Sequence, residues 1–141
     1  MNKKILSIFL IGGPILASSV ATAQPVKWKT YKNEEYNFSV EYPDWWSKAE
    51  TSGDMYKAVT FSGPREKGIM AIISVIEMES PKNLNEKIIT KNFVVGGITE
   101  KQIITVKNGR MYVMTFAANH ELFKEVNDTY FKRIIKSFKI E

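Results

Sequence analysis

Ile103-Ile104-Thr105-Val106-Lys107-Asn108-Gly109-Arg110-Met111-Tyr112-Val113-Met114-Thr115-Phe116 reads as a β-hairpin. Two runs rich in β-branched and aromatic residues flank Asn108-Gly109. Both central positions of a type I′ turn need positive φ, which asparagine and glycine tolerate best. The turn sets the register: Val106 faces Met111 and Ile104 faces Val113, while on the opposite sheet face Thr105 meets Tyr112 and Ile103 meets Met114. An antiparallel sheet is therefore the organising element of the chain.

Working upstream, Ile69 to Ile76 is apolar at nearly every position, which predicts a central strand covered on both faces. Ala58-Val59-Thr60-Phe61 is a further strand, closed by Ser62-Gly63-Pro64. Phe38, Val40 and Tyr42 alternate with Ser39 and Glu41 until Pro43 removes a ladder donor, and Lys27 to Tyr31 alternates in the same manner. Between the sheet segments, Ser80-Pro81 breaks the chain. Asn83 or Asn85 then predicts a capped helix to about Val94 that buries Leu84, Ile88, Ile89 and Phe93, with Gly96-Gly97 as its exit. Downstream, Tyr130, Phe131, Ile134, Ile135 and Phe138 fall at helical spacing, with Asn127 or Asp128 suited to the cap. Leu122, Phe123 and Val126 extend that stripe, so the helix begins either at Asn127 or near Asn119 with a bend at Asn127.

The amino-terminal stretch has a different logic. Asn2, Lys3 and Lys4 precede an apolar run from Ile5 to Leu16 and a small-residue end, Ala21-Thr22-Ala23, the pattern of a secretory signal peptide over residues 1–23 that is cleaved. Gly12-Gly13-Pro14 interrupts the run, which is too short for a membrane span, and no later stretch has spanning length. Residues 24–141 suit one domain with a single core. The chain has no cysteine, so neither a lipid anchor after cleavage nor a disulfide is available. Its net charge of +5 drops by two when Lys3 and Lys4 leave, which is too mild for a nucleic-acid partner. The expected location is outside the cytoplasm, periplasmic or extracellular.

Little assembled chemistry is visible. His120 is the lone histidine and no Gly-x-Ser-x-Gly elbow exists, so a serine triad has no base, and a cysteine nucleophile is impossible. Glu121, Glu125 and Asp128 share one face if the upstream helix forms, a weak hard-cation arrangement that most often is a solvated surface. Glu77 and Glu79 share a strand face without a cleft to work in. Gly96-Gly97 lacks the company of a phosphate-binding loop. No cofactor is called for. Lys27, Lys29 and Lys32 join Lys132, Arg133, Lys136 and Lys139 in a basic patch only if the two ends of the domain lie together.

Tyr31 to Glu35, then Tyr36-Asn37-Phe38-Ser39-Val40-Glu41-Tyr42-Pro43-Asp44-Trp45-Trp46, and finally Ile134-Ile135-Lys136-Ser137-Phe138-Lys139-Ile140 together resemble the PsbP-like family. The family's prototype is an extrinsic photosystem II subunit, and it has many small exported bacterial relatives. The resemblance implies an α+β fold: a central antiparallel sheet of about six strands with helices packed on both faces, a PsbP-like α/β/α sandwich. It says little about activity, since members include assembly factors and secreted proteins of varied role. Trp46 occupies the family's tryptophan position and is expected to pack inward. Trp45 stands where a small residue is usual, and neighbours on an extended backbone face opposite ways. Trp45 therefore either folds over the sheet edge as a lid or touches a partner. With no reactive group assembled, the expected function is noncatalytic binding of a protein partner through Trp45, Tyr36 and Asp44, a sheet edge, and a groove between sheet and helix. The alternative is a carrier of a small apolar ligand or lipid, suggested by Met70, Met78, Met111 and Met114.

Overall fold

A computed structural model describes residues 25–77 and 89–141. The proposed signal peptide, and Met78, Glu79, Asn83, Leu84, Asn85 and Ile88, lie outside the described residues. In chain order the elements are β1 (Trp28–Asn33), β2 (Phe38–Pro43), β3 (Ser47–Ser52), β4 (Tyr56–Ser62), β5 (Met70–Glu77), β6 (Ile89–Val95), β7 (Ile98–Lys107) and β8 (Arg110–Asn119). A helical stretch follows: a 3-10 turn (His120–Leu122), α1 (Phe123–Val126), a π-helical turn (Asn127–Phe131) and α2 (Lys132–Ser137), before the short β9 (Lys139–Ile140). The six-stranded antiparallel sheet runs β3-β4-β5-β8-β7-β6, and a three-stranded one runs β1-β2-β9.

The hairpin forms in the expected register, with Val106, Ile104, Thr105 and Ile103 opposite Met111, Val113, Tyr112 and Met114. Asn108 and Gly109 take φ of 52° and 73°. A Cβ at Gly109 would meet nothing within 4 Å, so the backbone conformation alone decides which residue fits there. Gly109→Val is expected to lower stability by about 1–3 kcal/mol, read as a shift in the urea midpoint at unchanged m-value.

The inner face of the large sheet carries Val59, Phe61, Ala71, Ile73, Val75, Tyr112, Met114, Phe116 and Ala118, all buried. The small sheet covers it with Tyr31, Phe38 and Val40, and the helical stretch with Val126, Phe131 and Ile134. Phe116 and Phe131 meet at 5.0 Å between ring centroids. Val126 and Phe131 are five residues apart, a spacing that a regular α-helix splays by about 140°. The π-helical turn between them narrows that splay, and both are buried. The helix does start upstream of Asn127, and the irregularity there is this turn.

Three expectations need correction. Residues 89–95 form β6, not the end of a helix, and Phe93 is 42% exposed instead of buried. Gly96-Gly97 still has positive φ, 57° and 77°, but as the turn of a second hairpin joining β6 to β7. β5 is not covered on both faces: Ala71, Ile73 and Val75 are buried while Ile72, Ser74 and Ile76 are half-buried, an alternating pattern. Helices on both faces are accordingly not found among the described residues. One helical stretch shares the inner face with the three-stranded sheet, whose packing supplies the second layer. The antiparallel six-stranded sheet itself is as expected.

Candidate functional site

β2 ends at Pro43, where the chain turns: the Asp44 amide donates to the Lys27 carbonyl (2.9 Å) and the Trp46 amide to the Pro43 carbonyl (3.1 Å). This turn sends the two tryptophans apart. Trp46 is 4% exposed, its ring 5.2 Å from that of Tyr130, and a Cβ on Gly63 would come within 3.2 Å of it. Trp45 is 52% exposed and meets both Trp46 and Tyr130 edge-on, at 6.4 Å each. It rests over a small cleft of about 70 Å³ between the helical stretch and the β4–β5 loop, bordered by Pro64, Ile69 and Leu122. Trp45 is thus half lid and half free surface.

Tyr36 and Asp44 do not join it in one contact site. Asp44 is half-buried beside Trp45, but Tyr36 precedes the opposite end of β2, about 20 Å away at ~3.3 Å per residue. Its amide donates to the Asn33 side-chain oxygen (2.9 Å), its carbonyl accepts from the Tyr112 hydroxyl (2.8 Å), and the Arg110 guanidinium lies 5.0 Å over its ring. Tyr36 therefore pins the β1–β2 turn onto the large sheet. In the same region Asn33 Nδ2 donates to the Tyr31 hydroxyl, which donates to Glu50. Burial, reinforced by that hydrogen bond to Glu50, pushes the Tyr31 phenol up to about 12.

The ionisable groups singled out in the sequence are dispersed. His120 is exposed and shares a hydrogen bond with the Thr99 hydroxyl (2.8 Å). Asp128 pairs with Lys132 (2.6 Å) and Lys124 (3.4 Å), which hold its carboxyl below the usual range, so it does not converge with Glu121 and Glu125 on a cation. Glu77 pairs with Arg110 (2.9 Å) at the surface. Among the described residues no three His, Asp or Glu side chains gather as metal ligands.

Sequence reasoning missed the surface at the far end of the large sheet. The cover over the inner face stops short of β6 and leaves a trough of about 470 Å³. Ile103 and Met114 floor it, while Ile135, Phe138 and Ile140 wall it from α2 and β9. Beyond it β6 is the outermost strand among the described residues, with Phe93, Val94 and Val95 exposed by 42%, 62% and 71%. The mistaken helix hid this edge, although the β-branched run ahead of Gly96-Gly97 resembles the run ahead of Asn108-Gly109. Among the described methionines singled out, Met114 lines the trough, and Met70 and Met111 are on the other sheet face.

No protein-family model matches the sequence, and no curated protein matches it either. Solved structures do. The solution structure of cyanobacterial PsbP (CyanoP) from Synechocystis sp. PCC 6803 aligns over 86% of this chain and 97% of its own, with a TM-score of 0.57 at 12% identity. The fold is PsbP-like. A crystal structure from Bacteroides thetaiotaomicron VPI-5482 aligns over 80% of this chain with a TM-score of 0.53 at 14% identity, and the aligned part is 48% of that longer chain. At such identities the PsbP-like likeness concerns the backbone arrangement. The expectation drawn from the segments Tyr36 to Trp46 and Ile134 to Ile140 is met at that level. No helix among the described residues is long and apolar enough to cross a membrane.

Proposed function

We propose that this chain is an exported, noncatalytic binding domain, working in the periplasm or outside the cell, that receives an extended apolar segment of a protein partner along β6 and the adjoining trough. One observation carries the reading: the outermost strand among the described residues exposes Phe93, Val94 and Val95, with Val94 on the face of a largely apolar trough that Thr90 of the same strand lines. Unpaired backbone donors and acceptors on such a strand give affinity to an added strand, and flanking apolar pockets select its side chains. Trp45 adjoins β3, at the other end of the sheet, about 24 Å away at ~4.8 Å per strand. It is a separate contact.

Photo-crosslinking tests the reading. A photoreactive amino acid in place of Val95 is expected to join a β-prone apolar protein segment in the exported fraction. The same probe in place of Lys48 on β3 should not, and Val94→Lys should abolish the Val95 adduct. Equal adducts from both edges would overturn the proposal. Adducts at Val95 with small apolar molecules alone would favour the carrier instead.

A further inference from the structure

The termini of the domain do lie together, because β1 and β9 flank β2. Register then sorts the basic residues. Lys32, Ser39 and Lys139 stand opposite one another in a row on the outer face of the small sheet, with Thr30 and Glu41 in the next. Lys29, opposite Tyr42, is on the other face, and Lys132 is engaged by Asp128. Lys32 is engaged by Glu141 (3.5 Å), which leaves Arg133, Lys136 and Lys139 around the outer face.

They border a second trough, of about 440 Å³, between α2 and the small sheet. α2 divides the two troughs: Ile135 lines the apolar one, Arg133 and Lys136 the basic one. Arg133 is held in place, stacked 4.4 Å over the Trp28 ring and donating through Nε to Glu41 (3.1 Å). Its terminal nitrogens have no acceptor among the described residues. Lys136 and Lys139 have no carboxylate partner among the described residues; of the carboxylates interspersed with the basic residues, Glu34 and Glu35 lie beyond β1 in the turn before β2, while Glu41 lines the trough and is engaged by Arg133. The end of a helix normally repels an anion through its free carbonyls. Here the Ser137 hydroxyl caps the Ile134 carbonyl (2.8 Å) and the Phe138 amide caps that of Ile135 (3.2 Å). The Thr30 and Ser39 hydroxyls, also at the trough, make no side-chain hydrogen bond among the described residues.

We propose that the trough between α2 and the β1-β2-β9 sheet binds a phosphate ester of a polyol or sugar. A guanidinium with unused donors and two free ammonium groups match a phosphate's oxygens. The two hydroxyls and the volume beyond one phosphate accommodate the esterified polyol. The same chemistry is present in a free phosphorylated polyol and in an anionic lipid headgroup. This site is independent of the β6 surface, so either reading can fail alone.

Two probes separate the sources: glycerol 3-phosphate followed by amide NMR shifts, with glycerol as control, and phosphatidylglycerol vesicles in sedimentation, with phosphatidylcholine as control. Binding of either probe, centred on Ser39, Arg133 and Lys136, is expected. The Lys136→Ala/Lys139→Ala variant should weaken it about tenfold or more, while the charge-matched Lys67→Ala/Lys91→Ala variant should leave it within about twofold. Both variants change exposed side chains and should keep the wild-type Tm. Binding to neither probe, or binding that falls equally in the two variants, would overturn the proposal.

Discussion

Trp46→Ala is expected to lower stability by about 3–5 kcal/mol, and Trp45→Ala by about 1 kcal/mol or less. The residues are adjacent and chemically identical, so the contrast isolates environment. Trp46 is 4% exposed, wedged against Tyr130 and over Gly63; deleting it removes apolar area and leaves a cavity that close-packed neighbours fill poorly. Trp45 loses two edge-on ring contacts and a half-exposed surface. Urea unfolding of the two variants decides the matter. Equal losses would mean that the turn after Pro43 does not sort the rings as described.

Alkaline pH should expose a second large effect. The Tyr31 phenol titrates near 12 in the folded protein and near 10 once unfolded. A group with a raised folded pKa adds stability below its unfolded value, and that contribution is lost as pH rises through the folded one. The window is therefore pH 10 to 12. The loss across it is about 2–3 kcal/mol, since each pKa unit is worth about 1.4 kcal/mol. Tyr31→Phe should begin less stable at pH 7, because Asn33 and Glu50 lose their shared partner. Its stability should then fall less steeply than wild type between pH 9 and 11.5. Parallel slopes would assign the alkaline loss elsewhere, with Tyr112, also raised by burial, the first place to look.

What could be read in the sequence divides along physical lines. The β7–β8 hairpin was legible because its turn residues and both flanking strands agree, a local signal that needs no tertiary help. The opposite fates of Trp45 and Trp46 were expected from strand alternation, but it is the turn after Pro43 that sorts them. β3 left no trace: all six residues are exposed polar or small groups, and pairing with β4 alone makes it a strand. β6 was misread because Leu84, Ile88, Ile89 and Phe93 mimic helical spacing, whereas pairing with β7 imposes the extended form. Both troughs exist only through where α2 comes to rest. Nothing along the chain announces that Ile135 and Lys136, neighbours in sequence, border surfaces of opposite character.

The two rims of the large sheet are unlike. β3 presents Lys48 and Glu50 to solvent, groups that discourage docking of another strand, while β6 presents valine and phenylalanine. A head-to-tail chain of such sheets would have to join one rim to the other, so propagation is blocked after a single addition. On the binding role proposed above, the domain would act as a terminator: one guest at one end, in a complex that stays finite and of fixed stoichiometry.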